Sequence, residues 1–397
     1  MRRINRMKTN ETIAYLQKDI VIPAIVQQKA DLAFAQIRNE HVNTYRESGS
    51  KIRRKAAWVS IAAATLMLGT MSVFAAAHFP WGQGMTERLH ATETQKQFLE
   101  ETQIANPVNI VTTENDITIT ALHTITDGRF ARLAFKVEGY ELDEGIEPWF
   151  EQVVVTFDDP HLHNWSGLGM HFFDGFSLDS DSFTYVDGTP IKERSDGSLI
   201  PRYIADDGSM EYDMLLMTNS DSLIGKSIHV EFHNLGIYDA TEHQFIPNIE
   251  GTWTFDFSLD GCDQTTSYEM SEVLEGSGAT VTHAEISPIS LYVTYEMPRQ
   301  MIEREVVEEN GEISKITTTA DAPQIIGVRL KDGTLLTEIV SGGQYGYCGF
   351  LTDTYQAAFS TNHIIDPEQV DALLFIKSYP EGNEPLTEEN LYIVPLP

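Results

Sequence analysis

Residues 56–77 run Ala-Ala-Trp-Val-Ser-Ile-Ala-Ala-Ala-Thr-Leu-Met-Leu-Gly-Thr-Met-Ser-Val-Phe-Ala-Ala-Ala, 22 positions without one ionisable side chain. As a helix rising about 1.5 Å per residue they reach roughly 33 Å, against a hydrocarbon core of about 30 Å. Lys51, Arg53, Arg54 and Lys55 crowd the N-terminal edge, and Trp58 and Trp81 bracket the run where indole rings prefer the headgroup region. These features predict one membrane span at the cell membrane, with the N-terminus cytoplasmic and the C-terminus extracytoplasmic. A core helix of a soluble protein is one alternative. A late signal peptide is another, since small residues follow Phe74, but 55 patterned residues precede the run, far more than an ordinary n-region.

The span divides two unlike pieces. Residues 1–55 carry 12 basic and 5 acidic side chains, which leaves 15 basic against 54 acidic for the remainder. A basic inner segment is attracted to anionic lipid, whereas a strongly acidic outer part repels nucleic acid. DNA and RNA are thereby excluded as partners of the outer part. The two cysteines, Cys262 and Cys348, both lie beyond the span; spacing alone leaves a disulfide and two free thiols equally open.

Within the inner segment, residues 10–18 form a short amphipathic pattern and residues 22–38 a stronger one. Pro23 suits a first helical turn, and Ile22, Ile25, Val26, Ala30, Ala33, Phe34 and Ile37 recur at three- and four-residue steps. Fifty-five residues are too few to bury that stripe. It therefore needs a cytoplasmic partner protein, the membrane surface, or the shorter helix.

Beyond the span the pattern predicts a helical stalk over Thr86–Glu101, with Thr86 as its cap. From Asn109 the period becomes two. Ile117, Ile119 and Ala121 alternate with threonines, Asp127-Gly128 makes a turn, and Leu133, Phe135 and Val137 alternate again. Further strands are expected at 152–157, 210–217, 227–232 and 252–259. After Gly261 the chain starts again: residues 278–286 and 289–295 echo the earlier strand pair. A hairpin about Asn310-Gly311 follows, with strands near 324–330, 334–339, 372–379 and 390–394. The expected fold is mainly β: short cytoplasmic helices (1–55), one transmembrane helix (56–77), a juxtamembrane stalk (78–107), then two tandem extracytoplasmic antiparallel β-sandwich domains at 108–260 and 261–397.

No catalytic constellation is legible, and neither enzyme activity, cofactor nor metal is assigned. His161, His163 and His171 have a spacing compatible with a metal but read as solvated loop histidines. Asp174, Asp179 and Asp181 lack the alternating oxygen ligands of a calcium loop. Gly342, Gly343, Gly346 and Gly349 lack the following helix and Lys-Ser/Thr of a phosphate loop, so a tight connection or bulge is expected there.

Several stretches together resemble one family: residues 22–37 before the basic cluster, the span 54–77, Asn106-Pro107-Val108-Asn109, Asp116-Ile117-Thr118-Ile119, and Gly251-Thr252-Trp253-Thr254-Phe255-Asp256-Phe257. The chain is similar in layout to Gram-positive single-span anti-sigma-like proteins with an extracytoplasmic domain of unknown function. It lacks the His-x3-Cys-x2-Cys signature of their zinc-binding subclass. The resemblance implies a membrane-anchored regulator that couples an extracytoplasmic sensing region, with its own unknown ligand, to an extracytoplasmic-function sigma factor. The rival expectation is a cell-surface binding or structural protein anchored by a single span.

Overall fold

The computed structural model describes residues 79–159, 162, 164–179, 182–219, 221–239, 242–307, 313–349, 351–380 and 386–397. The predicted span and all seven stripe residues, Ile22, Ile25, Val26, Ala30, Ala33, Phe34 and Ile37, lie outside them. Among the described residues no helix is long and apolar enough to cross a membrane. Residues 79–190 and 201–397 form one compact unit, to which 191–200 do not belong. Those ten residues make a small turned segment of their own, with the Arg194 amide donating to the Ser198 carbonyl (2.8 Å) and the Ile200 amide to the Lys192 carbonyl (2.9 Å).

The described chain is mainly β, and all paired strands are antiparallel. Strands β1 (Ala105–Glu114), β2 (Ile117–Thr126) and β3 (Phe130–Glu138) join β8 (Met210–Thr218) and β5 (Trp165–Phe172) in a sheet ordered β1-β2-β3-β8-β5. Facing it is a three-stranded sheet in which β9 (Ser227–Asp239) runs between β4 (Pro148–Phe157) and β10 (Gln244–Ser258). The predicted alternation sets the inward faces. Ile117, Ile119, Leu133, Phe135, Tyr212 and Met214 from the larger sheet share one core with Phe150, Val230, Phe232, Trp253 and Phe255 from the smaller. Each such side chain contributes roughly 1.5–3 kcal/mol when fully buried. Trp253 sits at the centre, and its indole Nε1 donates to the Ile117 carbonyl at 3.1 Å, which satisfies the one polar atom the ring brings inside.

The second half repeats the plan. Strands β11 (Thr266–Leu274), β12 (Ala279–Ser287), β13 (Ser290–Glu296), β19 (Thr354–Thr361) and β18 (Val340–Tyr347) follow the same spatial order, and β16 (Ile325–Leu330), β20 (Val370–Ile376) and β21 (Leu391–Pro395) stand where β4, β9 and β10 stand, with the short β17 (Leu335–Leu336) added at the edge. Register is repeated as well. Ala121 faces Phe135 and His123 faces Ala134 across one irregularity, and Val281 faces Tyr295 and His283 faces Thr294 across another, each residue 160 positions further on. The echo seen in the sequence is therefore structural down to the bulge.

Two insertions break the symmetry. The second half carries the hairpin β14 (Met301–Val307) and β15 (Ile313–Thr319), whose turn lies outside the described residues. In the first half, residues 173–209 join β5 to β8 and include the hairpin β6 (Phe176–Asp179) and β7 (Ser182–Tyr185), whereas residues 348–353 suffice between β18 and β19.

The outer faces of the two five-stranded sheets pack on each other through Phe130, Leu215 and Met217 against Tyr292 and Ala358. Polar side chains also bond across this seam, although Arg132 Nε is left without a partner. The Arg132 guanidinium, buried from both sides, donates through Nη2 to Ser360 Oγ (2.7 Å), the Thr361 carbonyl (2.7 Å) and Ser341 Oγ (3.0 Å). Arg129 stacks 3.8 Å over the Tyr292 ring while its Nε donates to Glu285 at 2.9 Å.

The stretch between the predicted span and β1 departs from expectation. One helix capped by Thr86 was expected; there are two, α1 (Gln83–Arg88) and α2 (Glu93–Glu101), broken where His90 takes a left-handed φ of 45°. Thr92 rather than Thr86 is the cap, in a reciprocal pair with Gln95. Met85, Leu89, Leu99 and Ile104 are buried against Ile125, Ala134, Ile289 and Ile364, residues of both halves. Trp81 is likewise held by protein rather than by headgroups. Its ring lies 5.1 Å from Phe79 and 5.3 Å from His123, and its Nε1 donates to Glu100 at 2.6 Å.

Candidate functional site

The start of α1, residues 186–187 and residues 202–207 line a cleft of about 610 Å³ against the outer face of β3 and β8, within the range that takes drug-sized ligands. Its lining includes Pro80, Trp81, Gly82 and Gln83, Val186, Asp187 and the run 202–207, with Leu122, Met210 and Glu211. A second, smaller cavity of about 230 Å³ lies at the seam of the halves around Arg129 and Tyr292.

Glu211 follows from the period of β8. Met210, Tyr212, Met214 and Leu216 point into the core, so Glu211 and Asp213 point to the other face. That face is covered by α1. The Glu211 carboxyl accepts the amides of Gly84 (3.0 Å) and Met85 (2.9 Å), capping a helix from another part of the chain. Asp213 accepts from Arg88 Nε at 2.7 Å. Gly82 makes the approach possible, because a Cβ there would stand 2.1 Å from Glu211 Oε1.

Two buried carboxyls on neighbouring positions of one strand face cannot both ionise at low cost. Burial first, then the Asp213 charge, push Glu211 up to about 8, and burial likewise raises Asp213 against the pull of Arg88 and Arg132. Histidines around the same segment are kept neutral. Burial lowers His123 to about 4 while its Nδ1 lies 2.9 Å from the Pro80 carbonyl. Burial, then the neighbouring His90, lower His363 to about 4, the two rings being stacked at 4.5 Å.

The pH dependence follows from these signs. A carboxyl raised from 4.5 to about 8 in the folded state favours folding most at low pH, and that contribution is lost as pH rises from 4.5 through 8. A histidine lowered from 6.5 to about 4 acts oppositely, its contribution lost as pH falls from 6.5 through 4. Wild type is therefore expected to lose thermal stability between pH 6.5 and 8, and Glu211→Gln to lack that decline. An identical decline in both would show that Glu211 is not its source.

The residues singled out in the sequence are scattered. His161, His163 and Asp181 lie outside the described residues, and so does the Asp179 side chain. His171 is on β5 with its imidazole kept neutral by burial first, then by Arg88 and Arg132. Asp174 is spent on a turn, accepting the Phe176 amide at 3.2 Å, and burial raises its carboxyl. Gly342, Gly343 and Gly346 lie on strand β18 rather than in a tight connection, although a register shift between Val340 and Gly342 supplies the expected irregularity. Cys262 and Cys348 are free thiols. Sequence reasoning missed Glu211 and Asp213, since acid alternating with apolar residues reads as a solvent face. Gly82 just ahead of α1 and Gly84 in its first turn were the available sign of a close approach.

No protein-family model matches the chain, and no curated protein matches it. Among solved structures it is similar to one described as the crystal structure of the conserved domain protein from Bacillus anthracis, at 13% identity and a TM-score of 0.39, covering 75% of this chain and 91% of that one.

Proposed function

We propose that the chain is a single-span membrane regulator of the anti-sigma type, whose outer part, two tandem β-sandwich domains, senses a ligand and whose inner helices hold a cytoplasmic sigma factor. The observation that carries this reading is the cleft wall at Pro80–Gln83. Pro80 is three residues beyond the predicted span, at most about 11 Å of extended chain. An occupant of the cleft thus touches the segment that continues into the membrane. The same segment is fastened by Glu211, Asp213 and the Pro80–His123 contact. A ligand preferring the fastened or the released arrangement shifts their balance by its difference in affinity.

On the inner side, burying Ile25, Val26, Phe34 and Ile37 against a partner supplies roughly 1.5–3 kcal/mol per large side chain before the costs of association. Affinity capture from native membranes, with full-length protein and a form lacking residues 1–45, tests the reading. A sigma factor retained by the full-length form alone supports it, and Phe34→Ala with Ile37→Ala is expected to weaken that capture at least tenfold without loss of membrane insertion. Equal recovery of envelope components by both forms, with no transcription factor, would instead favour an anchored surface-binding protein.

A further inference from the structure

We infer that the cleft between α1 and residues 186–187 and 202–207 binds a small organic cation, an ammonium carried on an apolar body. The inference deepens the proposed function by naming the ligand class, and rests on it only for placing the cleft outside the membrane.

Size and lining come first. The cleft of about 610 Å³ has apolar lining at Trp81, Leu122, Val186 and Ile204, which suits a hydrocarbon or aromatic body of drug size. Its polar groups are mostly acceptors. The two cations of the lining are already engaged: Lys136 pairs with Asp207 and Glu138 at 3.0 Å each, and Arg202 pairs with Asp187 at 2.7 Å while lying 3.8 Å over the Tyr185 ring. Asp206 is exposed on the rim and takes no ion pair among the described residues. Asp187 and Asp207 are taken up in those same pairs, so the charge left for a newcomer is that of Asp206, which repels an anion and attracts an ammonium.

Glu211 is part of the lining, held against α1 by two amides. Its environment keeps it protonated near neutral pH, and a cation arriving beside it favours the ionised form. Binding should therefore release a proton from Glu211 to solvent. Asp213 and Arg88 beside it, Arg132 from β3, His171 from β5, the buried Asp174 that follows β5, and Lys136 with Asp207 are the other charged or titratable groups facing this pair. The feature is particular to the first half, because residues 348–353 in the second half leave no wall for such a cleft.

The test uses full-length protein in phospholipid nanodiscs, with empty nanodiscs as the reference, and three probes sharing one body: 4-phenylbutylammonium, 4-phenylbutanol and 4-phenylbutyrate. Calorimetry near pH 7 in two buffers of different ionisation enthalpy reads affinity and proton release together. The ammonium is expected to bind roughly tenfold more tightly than the alcohol and to release a proton, and the carboxylate to bind weakest. Glu211→Gln should abolish the proton release. Asp206→Asn, an exposed change that leaves the packing alone, should weaken the ammonium about threefold. Equal binding of ammonium and alcohol, preference for the carboxylate, or no binding of the ammonium by folded wild type would overturn the inference. Failure here beside a retained sigma factor leaves the regulator in place with another ligand; success here with no sigma factor leaves the ligand class in place on a surface-binding protein.

Discussion

Asp127→Ala is expected to destabilise the β-halves by roughly 3 kcal/mol or more and to split their unfolding into two transitions. The carboxylate is buried in the turn between β2 and β3 at the seam of the halves. Oδ1 accepts the amides of Arg129 (2.8 Å) and Phe130 (2.7 Å), while Oδ2 accepts the hydroxyls of Ser287 and Ser290, the latter at 2.6 Å. Ser287 stands in the second half where Asp127 stands in the first, so this contact ties the two turns together. Alanine leaves several buried donors without an acceptor, at about 1–3 kcal/mol each. The hydroxyls recover part of the loss by turning to each other, being 2.9 Å apart. Asp127→Asn keeps the acceptor for the two amides and is expected to cost about 1 kcal/mol. Urea unfolding followed by tryptophan fluorescence and by circular dichroism checks both. A single coincident transition displaced by less than 1 kcal/mol in the alanine variant would show that the turn does not hold the halves together.

Trp253→Ala should cost about 3–5 kcal/mol, the range for deleting a large aromatic from a packed core. The ring is fully buried beside Phe150, 6.2 Å away between centroids, with Phe232 and Phe255 in the same core, and removing it also strips the Ile117 carbonyl of its donor. Trp253→Phe retains most of the volume and loses the hydrogen bond, so a smaller cost of about 1–2 kcal/mol is expected. Because the second half has its own core, the loss should fall on the transition of the first. Comparable melting temperatures for wild type and Trp253→Ala would contradict this placement of the core.

Much of this arrangement was legible where a strand is buried on one side. The pair β2–β3, its Asp127-Gly128 turn and the repeat at β12–β13 were expected with close bounds because Ile119, Phe135, Val281 and Tyr295 alternate cleanly with polar neighbours. Strand β11 was hidden inside an assumed domain boundary. It is an edge strand whose alternating Tyr268 and Met270 are only half-buried against the core, so its apolar face is short and weak. Strand β18 was masked by its glycines. Gly343 is on a strand because the Ala358 carbonyl comes so near that a Cβ would lie 2.0 Å from it.

The cleft could not be read ahead because its parts are far apart in the chain. Glu211 meets Met85 across 126 positions, and no local period reports that pairing. What the sequence offered was indirect: a cap pattern at Thr92 and glycines at 82 and 84, which together mark a short helix approached closely by something else. Trp81 illustrates the opposite error. An indole next to an apolar run looks like a membrane anchor, yet its neighbours are Phe79, His123 and Glu100.

Everything proposed for the cleft depends on the β-halves standing outside the membrane, and Cys348 offers a direct probe of that, being a free thiol exposed to solvent. Intact cells carrying the full-length chain should be treated with a membrane-impermeant maleimide, with Cys348→Ser as the control. Labelling of wild type before lysis, lost in Cys348→Ser, is the expected result. Labelling that appears only after lysis would place the acidic region inside the cell and remove the sensing mechanism.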